Sequence, residues 1–120
     1  LHRAAPEGVP VDPGEGGMVP TGVAVAIPDG HAGLVLPRSG LASKRGLTLA
    51  NAPGLIDAGY RGEVICAVVN LDPHEVVEIA AGDRIAQLVV VPVDAVTPIF
   101  VEELPASTRG TGGFGSTGVS

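Results

Sequence analysis

Two side chains that can do chemistry lie three residues apart in a glycine-rich segment: Asp57 and Tyr60. A carboxylate can take a proton from water, and an aromatic ring can pack against a base or a sugar. Asp57 has a second interpretation, in which its side chain accepts backbone N–H groups and caps a turn. The residues alone leave both interpretations open.

The elements around this pair predict a β-hairpin. Pro53-Gly54 is typical of a turn, Leu55 and Ile56 indicate strand entry, and the apolar run 64–69 indicates the returning strand. The hairpin would hold Asp57 at a buried edge inside its bend, with Tyr60 beside it.

A second candidate site follows a predicted strand end, at Arg38, Ser39 and Gly40. A guanidinium, a hydroxyl and a glycine with a bare backbone together suit a phosphate group. Ser39 is not expected to be a nucleophile, because no nucleophile elbow surrounds it. Gln87 lies among apolar residues, so its amide must bond either a structural partner or a ligand.

Residues 105–120 predict a flexible arm, since Pro, Gly, Ser and Thr dominate after Leu104. Gly110, Gly112 and Gly115 fit G-x-G-x-x-G, but the arm has neither the flanking strand nor the helix of a dinucleotide site. Arg109 could clamp an anion, together with hydroxyls and backbone amides of the arm. Phe114 could stack on a base.

Composition predicts one all-β domain at residues 1–104. Hydrophobic residues make up 45% of the 120 residues but aromatic ones only 2%, and eighteen glycines and eleven prolines separate short β-branched runs. Runs spaced about 8–12 residues apart are typical of a sandwich or barrel. The predicted strands span 22–27, 32–36, 47–50, 64–70, 76–79, 84–91 and 97–101. Residues 1–17 predict an irregular lead-in, extended near 9–11, and 39–46 one helical turn.

Charge and cysteine content exclude several classes of function. A net charge of −6 disfavours nucleic-acid binding, which needs a basic surface. One cysteine cannot form an internal disulfide, which favours a reducing cytoplasm. We find no signal peptide, and the apolar run 85–93 is too short to span a membrane. The three histidines have no metal-ligand spacing, so no protein metal site is expected.

Four segments, PRSGLASKRG at 37–46, NAPGLIDAGYRGE at 51–63, GDRIAQL at 82–88 and RGTGGFGSTG at 109–118, resemble the trimeric dUTP pyrophosphatases (dUTPases), most closely the bacterial type. The resemblance covers nearly the whole chain. It implies a jelly-roll-like β-barrel, a homotrimer with shared active sites, and Mg²⁺-assisted hydrolysis of dUTP to dUMP and pyrophosphate. Such hydrolysis limits uracil in DNA and supplies dUMP for dTMP synthesis.

The resemblance also implies a role for each candidate residue. Asp57 would activate the water that attacks the α-phosphorus, and Tyr60 would pack under the deoxyribose. The uracil edge would be read by three backbone positions and one amide, at Leu55, Ile56, Ile65 and Asn51. The phosphates would be held by Arg38, Ser39, Gly40 and Gln87, and Gln87 would also be catalytic together with Asp57. The arm would close as a lid through Arg109, Phe114, Ser116 and Thr117.

The family has an earlier motif of the form A-G-x-D-L, and Leu1 to Ala4 resemble the residues just after its aspartate, so that aspartate is expected upstream of Leu1. Two alternatives follow. A chain without that motif could bind nucleotides without turnover, and a dCTP deaminase of the same fold would use a different catalytic set. The metal of the family is held chiefly by triphosphate and water, so the resemblance implies no direct protein ligand.

Overall fold

The chain folds mainly into antiparallel β-strands. A computed structural model describes residues 1–5 and 7–113. The eight strands are β1 (Val9–Val11), β2 (Gly16–Ala24), β3 (His31–Pro37), β4 (Leu47–Leu49), β5 (Gly54–Ile56), β6 (Glu63–Asn70), β7 (Val77–Ile79) and β8 (Ala86–Pro92). One helix, α1 (Ser39–Arg45), lies between β3 and β4. The predicted all-β class is confirmed.

The strands form three sheets with the orders β1-β7, β2-β6-β4 and β5-β3-β8. Most of the pairs join strands distant in sequence, as in a jelly roll. In the third sheet, Val35 faces Gly54 on one side and Leu88 on the other. The second sheet pairs β2 with β6 through Gly16↔Val69 to Pro20↔Ile65, and the register then shifts before Ala24↔Glu63. At this shift the three residues Thr21 to Val23 lie opposite the single residue Val64, and we call this segment the β2 bulge.

Alternation along the strands builds the core. In β6, Val64, Cys66 and Val68 are buried while the residues between them are exposed or half-buried. They pack with aliphatic residues of the other strands, including Val19, Val35 and Ile79. The core is therefore almost entirely aliphatic, as the shortage of aromatic residues predicts. Because aliphatic contacts have little directionality, polar anchors at defined positions help to fix the strands.

One such anchor is Asn70, whose side chain has 0% exposure. Its Nδ2 donates to Val11 O at 2.8 Å and Glu75 O at 2.9 Å, and its Oδ1 accepts from the N–H of Asp72 at 2.9 Å. The amide thus joins β1, the end of β6 and the following turn. All of its polar atoms are satisfied, as a buried amide requires.

The helix predicted at 39–46 is confirmed as α1. Arg38 occupies the N-cap position with extended backbone angles. Gly46 ends the helix with φ 72°, and its N–H donates to Ala42 O. A glycine is required there, since a side chain at that φ would be strained and its Cβ would lie 2.7 Å from the backbone nitrogen of Asp72.

Three local predictions are wrong. The strand predicted at 22–27 instead spans Gly16–Ala24, because pairing with β6 overrides the weak strand propensity of its glycines and proline. The strand predicted at 97–101 is absent from the described residues, where this segment is exposed and irregular. The hairpin is also wrong: among described residues β5 pairs with β3, and β6 lies in another sheet. The domain boundary at Leu104 stays a prediction, although the last described strand ends at Pro92.

Candidate functional site

A cavity of about 340 Å³ opens where β5 and β6 diverge into different sheets. Its base is formed by core residues such as Val35, Leu49 and Cys66. The cavity is lined by six of the residues singled out in the sequence: Asn51, Leu55, Ile56, Asp57, Tyr60 and Ile65. The structure therefore brings the predicted carboxylate, Asp57, together with the residues predicted to contact a nucleotide base and its sugar.

Two strand edges face this cavity. β5 is an edge strand, bonded on one side to β3. β4 pairs only with positions 68–70 of β6, so within the described residues the same edge of β6 is unpaired further down, near Ile65. Peptide groups on such edges retain free hydrogen-bonding capacity. Because β5 and β6 do not pair with each other, an apolar slot lies between them, and backbone donors and acceptors border it.

Asp57 lies at the end of β5 with an exposed side chain, not at a buried edge as predicted. Its Oδ1 accepts the N–H of Gly59 at 2.9 Å, and its carbonyl oxygen accepts the N–H of Tyr60 at 3.3 Å. The turn-capping interpretation is thus confirmed by geometry. Within the described residues the carboxylate accepts a hydrogen bond only at Oδ1, so Oδ2 stays available as an acceptor at the cavity mouth.

Tyr60 forms one wall of the cavity and is 43% exposed. Its hydroxyl donates to Glu63 O at 2.7 Å. The neighbouring Arg61 is tied to its own loop, since its Nη1 donates to Ala58 O at 2.7 Å and to Tyr60 O at 3.0 Å. The loop is therefore held by its own hydrogen bonds and presents the ring on a fixed support.

The residues predicted to bind phosphate lie at the end of the third sheet that is opposite to Asp57. Arg38 precedes α1 and its Nη1 donates to Arg84 O at 3.4 Å, while Ser39 and Gly40 are exposed in the first turn. Gln87, on β8, pairs with Leu36 of β3, and its Nε2 donates to Pro37 O at 3.2 Å. The sequence predicts either a structural partner or a ligand for the Gln87 amide, and the structure shows a structural partner. A second cavity, of about 230 Å³, lies beside Arg38 and is also lined by Arg45, Asp83 and Arg84.

These two groups of residues are far apart in one chain. The β3–β5 register pairs Gly33 with Ile56, and one further residue places Asp57 opposite Ala32. Arg38 follows the other end of β3, six residues from Ala32. At roughly 3.3 Å per residue, Asp57 and the Arg38 backbone are about 20 Å apart along the strand.

The arm contributes one described candidate. Arg109 is exposed, and its Nε donates to Gly112 O at 2.7 Å within the arm. The other three arm residues predicted for the site, Phe114, Ser116 and Thr117, lie outside the described residues.

Sequence reasoning missed residues that support the cavity. Met18 lines the rim from β2, and Cys66 lines the interior from β6, where burial raises the pKa of its thiol. The inward position of Cys66 follows from the alternation of β6, but the cavity around it does not. Thr21 and Glu63 connect the cavity loop to the β2 bulge. No signal in the sequence joins residues so far apart.

The part of the chain that the structure describes has neither a metal-binding cluster nor a membrane-spanning helix. No set of three or more His, Cys, Asp or Glu side chains there is arranged to hold a metal ion. The described helix is too short to cross a bilayer.

Comparison with curated proteins gives close relatives. A deoxyuridine 5'-triphosphate nucleotidohydrolase of Leifsonia xyli is 56% identical over 114 residues, covering 95% of this chain and 75% of the relative. The enzyme of the same name from Cutibacterium acnes is 60% identical over 114 residues, covering 93% of this chain and 74% of the relative.

Solved structures agree with this. The dUTPase of Staphylococcus bacteriophage 80alpha with dUPNHPP superposes with a TM-score of 0.85 at 36% identity, covering 94% of this chain and 82% of that one. A mutant dUTPase of phage phi11 of S. aureus, described with a structural Mg(II) ion, gives a TM-score of 0.75 at 31% identity, covering 85% and 82%. A model of the dUTPase family matches residues 1–118, and the chain belongs to that family.

Proposed function

We propose that this chain hydrolyses dUTP to dUMP and pyrophosphate. The observation that carries the proposal is the placement of Asp57 and Tyr60 at the mouth of a mainly apolar cavity, bordered by strand edges that have no partner among residues 1–5 and 7–113. Relatives above 50% identity that are deoxyuridine triphosphate nucleotidohydrolases support it. Membership of the family suggests the substrate, and the geometry suggests what each residue does.

The uracil ring would enter between β5 and β6. Its polar edge would bond the backbone groups near Leu55, Ile56 and Ile65, while Asn51 would supply an amide from the cavity rim. A site that hydrogen-bonds a specific edge discriminates strongly, since a wrong base leaves buried groups unpaired. Rejection of a methyl group at the ring would depend on the close aliphatic walls.

Asp57 would act as the general base. Its Oδ1 bond to the N–H of Gly59 fixes the carboxylate, and Oδ2 would take the proton of the attacking water. General-base catalysis typically contributes about 10²–10⁴-fold. Tyr60 would pack under the deoxyribose and occupy the space that a ribose 2′-hydroxyl needs.

The phosphates would bind Arg38, Ser39, Gly40 and Gln87. A guanidinium, a hydroxyl and an amide suit phosphate oxygens rather than a cation. The donor set therefore fits a Mg²⁺ ion carried by the triphosphate and water, the usual manner for this ion. Bound there, Mg²⁺ would neutralise charge on the phosphate oxygens. Arg109, Phe114, Ser116 and Thr117 would close the site as a lid.

This arrangement needs more than one copy of the chain. The separation of about 20 Å along β3 keeps Asp57 from an α-phosphate held near Ser39 of the same chain. Several apolar side chains after β8 are also exposed: Val96, Ile99, Phe100, Val101 and Leu104. Such a row of exposed apolar residues is typical of a surface that another subunit covers. We therefore propose that each active site lies between copies of a homotrimer. We also propose that the protein acts in the cytoplasm, because a reducing compartment keeps a free thiol such as that of Cys66 reduced.

Purified protein incubated with dUTP and Mg²⁺ tests the activity, with release of pyrophosphate and dUMP as the readout. Parallel reactions with dTTP, dCTP and UTP test the base and sugar discrimination. Binding of dUTP without turnover would favour a nucleotide-binding module, and ammonia released from dCTP would favour a deaminase. Either result would contradict the proposed activity.

Complementation tests the sharing of sites. Asp57→Asn and Gln87→Ala chains, each inactive alone, are co-expressed and purified as mixed assemblies. If each site takes Asp57 from one copy and Gln87 from another, random mixing restores about one site in four. If both come from one chain, no active site forms. Each variant co-expressed with itself is the matched control.

A further inference from the structure

The ring of Tyr60 rests directly on Gly62. A Cβ at position 62 would lie 2.6 Å from Tyr60 Oη, 2.8 Å from Cζ and 3.1 Å from Cε1. Atoms that close must move apart. Gly62 does not have a positive φ, so alanine fits its backbone and the ring is the part that must shift. The absence of a side chain at Gly62 therefore determines how closely the ring can approach the loop.

The far end of the ring is also fixed. The Tyr60 hydroxyl donates to the carbonyl oxygen of Glu63 at 2.7 Å. A ring displaced by a methyl group at position 62 would lengthen or break this bond. The ring is thus held at its hydroxyl by Glu63 and from beneath by Gly62.

Glu63 is itself anchored to a distant strand. Its Oε2 accepts the N–H of Gly22 at 2.8 Å, inside the β2 bulge where ladder pairing is interrupted. One residue on, Val64 O accepts the hydroxyl of Thr21 at 2.7 Å, and the Thr21 side chain is buried. Two side-chain hydrogen bonds replace the missing ladder bonds and fix the strand entry to which Tyr60 is attached.

We propose that Gly62 and Glu63 are positioning residues that hold Tyr60 at the depth required to favour deoxyribose over ribose. The proposal rests on the proposed function and deepens it. Neither residue needs to touch the substrate. Gly62 lets the ring lie low on the loop, and the Glu63–Gly22 anchor keeps the acceptor of the Tyr60 hydroxyl in place. A ring moved from this position would no longer fill the space beside the sugar.

Gly62→Ala is the main test, with kcat and KM measured for dUTP and UTP. The ratio of kcat/KM for dUTP over that for UTP should fall about tenfold, the scale of a methyl-sized change in a pocket. The fall should come mainly from KM. Gly17→Ala is the matched control, since a Cβ there meets nothing within 4 Å and Gly17 has no positive φ; it should leave the ratio unchanged.

Two variants of Glu63 test the anchor independently. Glu63→Ala removes the carboxylate acceptor of the Gly22 N–H and should lower the same ratio about two- to tenfold, less than the full effect of a charge-assisted hydrogen bond because the anchor acts on the ring only through the Glu63 backbone. Glu63→Gln retains a side-chain oxygen for that N–H and should restore the ratio. In a Tyr60→Phe background, Gly62→Ala should have a smaller effect, because the bond to Glu63 O is already lost.

The outcomes separate the two proposals. Wild-type protein that releases no pyrophosphate from dUTP contradicts the proposed function. In that case the positioning proposal is tested by binding, with the ratio of the dissociation constants for UTP and dUTP in place of the ratio of kcat/KM. An unchanged ratio in folded Gly62→Ala protein refutes the role of Gly62 in positioning. If Gly62→Ala does not fold, equal ratios for Glu63→Ala and Glu63→Gln refute the anchor. A loss of thermal stability with no change in ratio means a purely structural role and overturns the proposal.

Discussion

Replacing Asp57 by asparagine separates its two interpretations. The variant keeps an Oδ1 that can accept the N–H of Gly59, the 2.9 Å bond that caps the turn. It cannot take a proton from water. If Asp57 only caps the turn, the asparagine variant should behave like the wild type. If Asp57 is the general base, turnover should collapse while the loop stays intact.

The expected size of the loss follows from the chemistry. Removing a general base should lower kcat about 10²- to 10⁴-fold, which corresponds to about 2.7–5.5 kcal/mol of barrier. Since Asp57 is exposed and its cap is retained, the free energy of unfolding should change by less than about 0.5 kcal/mol. Asp57→Ala should show the same loss of kcat and, in addition, lose about 0.5–1.5 kcal/mol of stability with the hydrogen bond.

Single-turnover release of pyrophosphate from dUTP measures the chemical step, and calorimetry with dUTP measures binding. Thermal unfolding of the wild type and both variants serves as the structural control. A value of kcat for Asp57→Asn within tenfold of the wild type, with Asp57→Ala impaired, would refute the general-base role and leave only the turn cap.

Three other predictions follow from the described residues. Asn70→Ala should lower the free energy of unfolding by at least about 2 kcal/mol, because it leaves the buried carbonyl of Val11 unpaired and removes two partly buried hydrogen bonds, to Glu75 O and from the N–H of Asp72; denaturation in guanidinium checks this, and a loss below about 1 kcal/mol would contradict it. The N–H of Glu75, and then that of His74, lowers the pKa of Asp72 below its ordinary 3.8. Above pH 3.8 the wild type should therefore be more stable than Asp72→Asn, and this difference in stability should vanish as the pH falls through the lowered pKa. A difference in melting temperature that is the same at neutral and at acidic pH would refute it. Phe100→Ser should weaken assembly without lowering the stability of the monomer, as light scattering and melting would show, because the ring is fully exposed in one chain.

Much of the fold could be predicted because the signals are local. The alternation in β6 identifies its buried residues from the sequence, and Gly46 marks the end of α1. β2 could not be predicted in the same way. Gly16, Gly17 and Pro20 are poor strand residues, and they are extended because β6 pairs with them along its length. A pairing partner more than 40 residues away leaves no mark in the local pattern.

The segment 97–101 shows the opposite case. Ile99, Phe100 and Val101 have the composition of a strand, and local reasoning predicts one there. A strand also needs a partner for its backbone groups, and the described residues offer none to this segment. Its apolar side chains stay exposed in the single chain. The strand propensity of this segment therefore favours pairing with another copy of the chain. The Phe100→Ser experiment tests this, because it measures assembly.

The order of the motifs along the chain does not show which of them share a site. Residues around Asp57 and around Arg38 are less than twenty positions apart in sequence, yet the register of β3 with β5 and β8 places them at opposite ends of one sheet. The register also explains why the predicted hairpin fails: β5 pairs with β3, so within the described residues the β6 edge near Ile65 lacks a partner strand and the cavity forms between β5 and β6. Both facts depend on pairing between distant strands, and only the structure supplies them. Under the proposed sharing of sites, each copy would contribute parts of two different sites, and mixing two inactive variants should restore activity because of how β3 is paired.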